Sequence, residues 1–473
     1  MTDICFSTAI ELRAALAARE VSAREVVQAH LDRIERLGPE VNAVVTLVAE
    51  RALDEAAAAD ERAVRGADLP PLHGIPIAHK DTHDTAGIRT TYGSPLHADH
   101  VPERDELVVE RLRAAGVITL GKTNVPEFAA GSHTFNPVFG ATRNPYDPSR
   151  SAGGSSGGAA AALATGMHPL ADGSDFGGSL RNPASFCNVV GFRPSPGRVP
   201  SWPATLGWNT LSTSGPMART VADAALLLSV LAGPDPRSPT ALDEPGERFA
   251  GPLNRDVRGL RVAWSPDLGG AVPVEPAVAD VVADSARTLA DLGCVVERAC
   301  PDFAGADEAF RILRAWQFAV KFGPILDTAG EAVKDSIRWN AEEGLRLSAA
   351  DLGRAEQLRT ELFHTVREFF EHYDALVLPV SQVPPFDAAL EYPTTVAGQE
   401  METYLDWMRS AYYVSVTGSP ALSVPAGFTP GGLPVGLQIV GPHRADFAVL
   451  QLGHAFEQAT MAGLRRPPMC ANG

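Results

Sequence analysis

The spacing of hydrophobic residues alternates along the chain between a helical period and short apolar runs. Ser22 and Glu25 form a capping-box pattern ahead of an apolar series at helical spacing, so a helix is predicted to begin there. Further helices are predicted over residues 50–66, 105–115 and 221–232, and 305–372 is predicted to be mostly helical. Strands are predicted at 74–78, 117–120, 188–192, 374–379 and 433–440, with a strand–helix–strand unit over 261–300. This alternation predicts an α/β fold.

The stretch "SAGGSSGGAAAALATGMHPLADGSDFGGSLRNPASF", residues 151–186, departs from this regular pattern. Two glycine–serine clusters, 153–158 and 177–179, lie on either side of an alanine-rich run. A flexible linker would be polar throughout, whereas this run is strongly helix-forming and each cluster borders a regular element. A glycine loop that leads into a helix also collects backbone N–H groups at one point. The pattern predicts tight turns rather than a tether.

Composition limits the class of protein and its surroundings. The chain has 473 residues, is 45% hydrophobic and carries a net charge of −17, which argues against nucleic acid and anionic membranes as partners. No apolar run approaches the roughly 20 residues of a membrane span. The N-terminus lacks a signal core, and the five cysteines are scattered without a C-x-x-C pair. We therefore expect a cytoplasmic protein with one large domain over 1–473 and without disulfides.

Lysine is rare in this chain. Among the 40 basic residues only four are lysines, at positions 80, 122, 321 and 334. Arginine stays charged in proteins, whereas a buried lysine can lose its proton and act as a base. Lys80, directly after a predicted buried strand, is therefore a candidate base, and an ion pair with Asp81 is the equal alternative.

Other chemistries have weaker patterns. Residues 153–157 fit the G-x-S-x-G nucleophile elbow, but the late histidines that an α/β-hydrolase would need lie in unpersuasive contexts. The glycine loop lacks the G-K-[ST] ending of a nucleotide site. A histidine cluster leaves a metal-dependent amidohydrolase open, although it contains no H-E-x-x-H motif. Its histidines are His73, His79, His83, His97 and His100. We expect no metal and no cofactor.

Long parts of the sequence resemble the amidase signature hydrolases. The resemblance includes "GIPIAHKD" at 74–81, "GKTNVPEF" at 121–128 and the whole of 142–194. It resumes with "GPMART" at 215–220 and extends over 418–438. The resemblance implies one α/β domain with a central mixed, twisted sheet covered by helices on both faces. It also implies a signature core over about 66–232 and a variable substrate funnel over about 300–410.

The same resemblance implies a Ser–cisSer–Lys catalytic set. Lys80 is the implied base, Ser155 the relay that follows a cis peptide bond, and Ser179 the nucleophile. The implied oxyanion hole consists of the backbone N–H groups of Phe176, Gly177, Gly178 and Ser179. The implied supporting residues are Asp175, Arg181 and Ser132, for which a purely structural role is the alternative.

This sequence differs from the usual family pattern near the implied site. Phe176 replaces a threonine, which would make the wall beside the oxyanion hole apolar, and His79 and Thr82 replace valine and asparagine. Tryptophans in the variable segments suggest a funnel for apolar or aromatic groups, although they could also be core residues. They are Trp202, Trp208, Trp316 and Trp339.

We therefore expect a serine hydrolase of carboxamide C–N bonds that works through an acyl-enzyme. Its expected range is broad and includes aryl amides, esters and carbamates (urethanes). Its partner would be the small-molecule substrate alone, with the enzyme a monomer or homodimer. The first alternative is a subunit of a glutamine-dependent tRNA amidotransferase, and the second is the metal-dependent amidohydrolase described above.

Overall fold

A mixed sheet of eight strands organises the fold. The computed structural model describes residues 3–66 and 68–470. Within these ranges the strands are β1 Val44–Leu47, β2 Pro76–Lys80, β3 Ile118–Thr123, β4 Phe135–Asn136, β5 Gly140–Ala141, β6 Leu170–Asp175, β7 Val190–Arg193, β8 Thr213–Ala218, β9 Arg261–Trp264, β10 Val295–Arg298, β11 Ala375–Pro379, β12 Thr395–Val396, β13 Gln399–Glu400, β14 Ala421–Phe428 and β15 Pro434–Val440. The helices are α1 Ala9–Ala18, α2 Ala23–Val41, α3 Ala49–Val64, α4 Leu107–Ala114, α5 Gly157–Ala164, α6 Arg181–Phe186, α7 Val221–Leu231, α8 Pro276–Asp291, α9 Ala306–Ala329, α10 Asp335–Arg346, α11 Ala349–Phe369, α12 Arg409–Thr417 and α13 Asp446–Thr460.

The large sheet has the strand order β10–β9–β11–β15–β14–β7–β8–β6. Strands β10, β9 and β11 run parallel to one another, and the remaining pairs are antiparallel. A smaller sheet has the order β1–β3–β2, in which β2 and β3 are parallel. Strand β2 packs beside β6, the edge strand of the large sheet. The two sheets therefore meet at the ends of β2 and β6.

Helices cover both faces of the large sheet. Along β11, Val377 packs into one apolar cluster with α7, α8 and α13, whereas Leu376 and Leu378 pack into another with α9, α11 and α12. This alternation follows from the period of two along a strand. The predicted single-domain α/β fold with a mixed sheet is confirmed. In residues 3–66 and 68–470, no helix has the length and apolar character needed to cross a membrane.

Most predicted elements are present with shifted ends. The capping box at Ser22 and Glu25 forms in both directions and begins α2. The strand predicted at 74–78 runs over Pro76–Lys80, so Lys80 is its last residue rather than a loop residue. Strand β6 was not predicted, because the polar residues and glycine in "LADGSD" interrupt its apolar pattern.

The glycine–serine stretch is one of the most buried parts of the molecule. Every residue of α5, which follows the first cluster, is buried. The backbone of Gly158 in this helix approaches the backbone of Asn124, and a Cβ at Gly158 would lie 2.3 Å from the Asn124 nitrogen. Glycine is required there because no side chain fits between the two backbones. The prediction of tight turns instead of a linker is confirmed.

We expect Gly158→Ala to destabilise the protein by about 1–3 kcal/mol, because the added methyl group must displace backbone atoms. The matched control is Gly353→Ala on α11, where a Cβ would meet nothing within 4 Å. Removing a helical glycine at such an open position should stabilise the protein by about 0.5–1 kcal/mol. Urea unfolding of both variants measures these changes. Equal effects of the two substitutions would contradict the close approach.

Candidate active site

A buried lysine and two serines meet where β2 ends beside β6. Lys80 is fully buried at the end of β2. Its Nζ lies 2.8 Å from Ser155 Oγ and 2.9 Å from Ser174 Oγ. Its backbone N–H donates to Asp172 Oδ1 at 2.8 Å, which joins the lysine to β6. The amine is therefore held by Ser174 on β6 of the large sheet and by Ser155 from the first glycine–serine turn.

The environment of Lys80 favours loss of its proton. Burial lowers the pKa of the Lys80 amine to about 7, and the carboxylates of Asp175 and Asp172 oppose this shift. An amine with this pKa is about half neutral at pH 7, whereas an exposed lysine is almost entirely charged. The ion-pair alternative with Asp81 does not form, because that carboxylate accepts hydrogen bonds from Thr91.

The turn that carries Ser155 is fixed by side-chain hydrogen bonds. The Gly154–Ser155 peptide bond is cis, as the family resemblance implied. Ser132 Oγ donates to the Gly154 carbonyl at 2.7 Å and accepts from Asn182 Nδ2 at 3.0 Å. Ser132 thus holds the peptide next to Ser155 and does not contact Lys80. Asn182, from α6, had no signal in the sequence analysis.

Ser179 lies in the second glycine–serine turn, between β6 and α6. It is half-buried and lines the same cavity as Ser155. The Ser156 N–H donates to the Ser179 carbonyl at 3.2 Å, which joins the two turns. No hydrogen bond connects the hydroxyls of Ser155 and Ser179 among the described residues. Such catalytic hydrogen bonds are often long in proteins without a bound substrate.

The backbone N–H groups of the second turn are not equivalent. Gly178 donates its N–H to Asp175 Oδ1 at 2.9 Å, so this group is already occupied. The N–H groups of Phe176, Gly177 and Ser179 find no acceptor in the part of the chain that the structure describes. Three of the four predicted donors are therefore without a protein acceptor in the described ranges.

Asp175 connects this turn to the core. Its carboxylate accepts from Arg181 at 2.9 and 3.0 Å and from Arg193 at 3.1 Å, and all three side chains are fully buried. It also accepts the N–H of Leu180 at 3.1 Å. Burial alone would raise the pKa of Asp175, but the guanidiniums of Arg181 and Arg193 hold that pKa well below its usual range. The carboxylate and its two arginines are thus part of the framework that shapes the turn.

Two further buried groups near Lys80, the His79 ring and the Asp172 carboxylate, were not assigned to the site by the sequence analysis. His79 Nδ1 lies 2.5 Å from Asp172 Oδ2, and its Nε2 lies 3.2 Å from Thr119 Oγ1. Burial lowers the pKa of His79, so it is neutral and its ring N–H donates to the carboxylate. His79 is an unusual residue before Lys80 in the sequence, but its partner Asp172 lies on β6, a strand that the sequence pattern does not predict.

A cavity of about 620 Å³ opens onto these serines. Ser155, Ser174 and Ser179 lie in its wall, and Phe176 forms the apolar surface beside the turn, as expected. Its larger apolar lining comprises Tyr92, Phe128, Val199, Pro203, Leu206, Phe318, Phe322 and Ile325. The cavity therefore combines these apolar side chains with a comparable polar lining that includes the three serines.

The four tryptophans predicted for the funnel do not line this cavity. Trp202 packs under the guanidiniums of Arg104 and Arg237, and Trp208 is 80% exposed. Trp316 packs against the apolar cluster around α9 and α11, and Trp339 contacts Tyr404 edge-on. The predicted segments do reach the cavity, but through neighbouring residues, because the tryptophan side chains lie on other sides of these segments.

The histidines of the sequence cluster separate into different environments. His83 Nδ1 lies 2.9 Å from Glu106 Oε2, and His97 and His100 pack around the Tyr92 ring. Over the described ranges, no group of three or more His, Cys, Asp or Glu side chains is placed to hold a metal ion. The cluster therefore does not form the metal centre of the second alternative.

Comparison with known proteins agrees with the fold and identifies the family. A family model described as Amidase matches residues 25–450. An acylamidase of Rhodococcus erythropolis is 37% identical over 459 residues, which cover 95% of this chain and 94% of that protein. A glutamyl-tRNA(Gln) amidotransferase subunit from Acidothermus cellulolyticus is 38% identical over 490 residues, with 97% of this chain and 95% of that protein covered.

A solved structure extends the similarity to three dimensions. A bacterial aryl acylamidase of the amidase signature enzymes superposes with a TM-score of 0.89 at 30% identity, with 96% of each chain covered. Together with the family match, this defines a hydrolase of amide C–N bonds. The chain belongs to the amidase signature family.

We expect Asp175→Asn to destabilise the protein by about 3–5 kcal/mol, because it leaves two buried guanidiniums without a counter-charge. The matched control is Asp256→Asn, which removes the same charge from an exposed pair with Arg258. That control should leave the unfolding free energy unchanged within error. Urea unfolding compares the two. A loss for Asp175→Asn no larger than that of the control would contradict the framework role.

Proposed function

We propose that this protein is a stand-alone serine amidase with Ser179 as nucleophile, Ser155 as relay and Lys80 as base. The observation that carries the proposal is the 2.8 Å contact between Ser155 Oγ and a buried amine whose pKa is about 7. A serine hydroxyl is a weak nucleophile unless a base takes its proton, and a desolvated lysine can do so.

The proposed reaction proceeds in two stages. Neutral Lys80 takes the proton of Ser155, which takes the proton of Ser179 as the Ser179 oxygen attacks the amide carbon. When the C–N bond breaks, the leaving amine receives a proton from Ser155, Ser155 recovers the proton held by Lys80, and the acyl group remains as an ester on Ser179. Water then attacks this ester, gives its proton to the same relay, and releases the acid and the Ser179 hydroxyl.

The free N–H groups of the second turn would stabilise the oxyanion. Phe176, Gly177 and Ser179 supply three such donors in the turn, and Phe176 and Ser179 line the cavity. One correctly placed donor contributes roughly 3 kcal/mol to the stability of the transition state. The fourth predicted donor, Gly178, would act indirectly, because its bond to Asp175 holds the turn in shape.

The lining supports substrates with apolar or aromatic groups. Phe128, Phe176, Phe318 and Phe322 surround the space beside the serines. We propose a broad range that includes aryl amides and, by the same acyl-enzyme chemistry, esters and carbamates. The similarity to an acylamidase and to an aryl acylamidase supports this range.

A second candidate function is that of an amidotransferase subunit, because a relative of that name is 38% identical. Such a subunit would hydrolyse glutamine within a complex. The two functions differ in whether the isolated chain hydrolyses simple anilides, and in whether glutamine competes with them. We favour the stand-alone enzyme because Phe176 and three further phenylalanines line the cavity that contains Ser179.

We expect the purified chain to hydrolyse a chromogenic anilide and its carbamate analogue with a chelator present throughout. Ser179→Ala should abolish both activities, because it removes the attacking oxygen. Ser229→Ala on α7, whose hydroxyl donates to the Leu226 carbonyl at 2.7 Å, is a serine control that should keep full activity. Anilide turnover by Ser179→Ala would exclude Ser179 as nucleophile. Hydrolysis of glutamine but not of anilides would support the amidotransferase subunit instead.

We expect kcat/KM to rise with pH around pH 7 and to level off above it, because the base works only after the Lys80 amine has lost its proton. Lys80→Arg keeps a cation of similar length that cannot act as a base, so activity should fall about 10²- to 10⁴-fold. Both effects are tested by measuring kcat/KM of the two proteins as a function of pH. The range runs from about one and a half pH units below the Lys80 pKa to about two and a half above it. A flat profile, or an active arginine variant, would contradict the role of Lys80.

A further inference from the structure

An arginine lies inside the cavity, and no carboxylate of residues 3–66 or 68–470 forms an ion pair with it. Arg314 of α9 is only 6% exposed and lines the cavity together with Ser155 and Ser179. The proposed reaction does not use it. An arginine buried this deeply normally pairs with a carboxylate, because an unpaired buried charge is costly.

The guanidinium of Arg314 is held in one position. Its Nε and Nη2 donate to the Tyr404 hydroxyl at 3.2 and 2.7 Å. Asn340 Nδ2 donates to the same hydroxyl at 2.7 Å and so fixes the tyrosine. The guanidinium carbon lies 4.2 Å from the ring centre of Phe318 and 5.4 Å from that of Phe176. The group is therefore pre-organised, and it lies over the ring of the residue that begins the oxyanion turn.

No protein carboxylate neutralises this guanidinium among the described residues. Arg311, one helical turn earlier, pairs with Asp307 at 2.8 Å and with Asp406 at 2.5 Å. Arg314 makes no such pair, and its Nη1 donates to no residue in the described ranges. The aromatic rings stabilise the cation, but they do not neutralise its charge and they accept no hydrogen bond from Nη1.

The carboxylates that line the cavity within the described ranges have other partners. Asp84 accepts from the Tyr92 hydroxyl, and Glu106 lies 2.9 Å from His83 Nδ1. Lys321, about two turns beyond Arg314 on α9, adds an exposed positive charge to the same cavity. Arg314 is therefore the buried cation of α9 in this cavity that lacks a carboxylate partner within the described ranges, whereas the charge of Lys321 is exposed to water.

We propose that Arg314 binds a carboxylate of the substrate. The enzyme would then prefer amides that carry a carboxylate within a few bonds of the scissile carbonyl, with that carboxylate placed beside Phe176 and α9. The planar fork of a guanidinium suits a carboxylate, because it offers parallel N–H donors. The inference rests on the proposed function for its reaction, but the binding itself requires no turnover.

Binding to the Ser179→Ala protein tests this directly. Three probes are titrated by calorimetry: glutaric acid mono-anilide, with a carboxylate on the acyl side; 4-(pentanoylamino)benzoate, with one on the amine side; and pentananilide, which is neutral. We expect at least one anionic probe to bind tenfold or more tightly than pentananilide. Arg314→Gln in the same background should remove this advantage and change the affinity for pentananilide less than threefold.

Two controls separate a binding site from general electrostatics and from misfolding. Lys321→Gln removes a neighbouring exposed charge from the same helix and should change the advantage less than threefold. Retained binding of pentananilide by Arg314→Gln shows that the cavity is intact. Anionic probes that bind no tighter than pentananilide, or an advantage that survives Arg314→Gln, would overturn the proposal.

Turnover by the unsubstituted enzyme distinguishes the two proposals. If no anilide is hydrolysed, the proposed function fails, whereas calorimetry with Ser179→Ala still decides whether Arg314 binds anions. If pentananilide is hydrolysed and the carboxylate gives no advantage in kcat/KM or in affinity, the amidase remains and the anionic preference is excluded.

Discussion

The shape of the site depends on one buried carboxylate. Asp175 ends β6 and binds Arg181 from α6, Arg193 from β7 and the backbone of the turn between β6 and α6. Arg181 continues this network to Ser415 Oγ on α12 at 2.7 Å and to Gln438 on β15. Because these charges are sealed from water, each depends on the others. The turn that presents Ser179 is therefore fixed by elements from both halves of the sheet.

The pKa of Lys80 depends on a second constraint, the opposition between burial and nearby carboxylates. Burial favours the neutral amine, whereas Asp172 and Asp175 on β6 favour the charged one, and the result is a pKa of about 7. One of these carboxylates, that of Asp172, also forms a hydrogen bond with the His79 ring. A less buried amine would keep its proton, and an amine without those carboxylates would have an even lower pKa. Strand β6 thus contributes more to the site than its short, interrupted sequence suggests.

A feature could be predicted when its interacting residues are close together in the sequence. The capping box at Ser22 and the helix at the first glycine–serine cluster depend on neighbours in the chain, and they were predicted, as were seven of the fifteen strands within the described ranges. Strand β6 was missed because its buried polar residues have partners far away in the sequence, such as Asp172 with His79. The tryptophans were misplaced because composition shows that a segment reaches a cavity, but not which of its side chains face it.

The sequence alone determined the family, the α/β class and the candidate set Lys80, Ser155 and Ser179. These depend on motifs made of residues that are neighbours in the sequence. Only the tertiary structure decided which groups surround and support that set. It joins the Gly178 N–H to Asp175 and the Ser132 hydroxyl to the Gly154 carbonyl, and among the described residues it gives Arg314 no carboxylate partner in the cavity. Those outcomes depend on which distant groups meet in the interior, where water no longer satisfies a charge or a hydrogen bond.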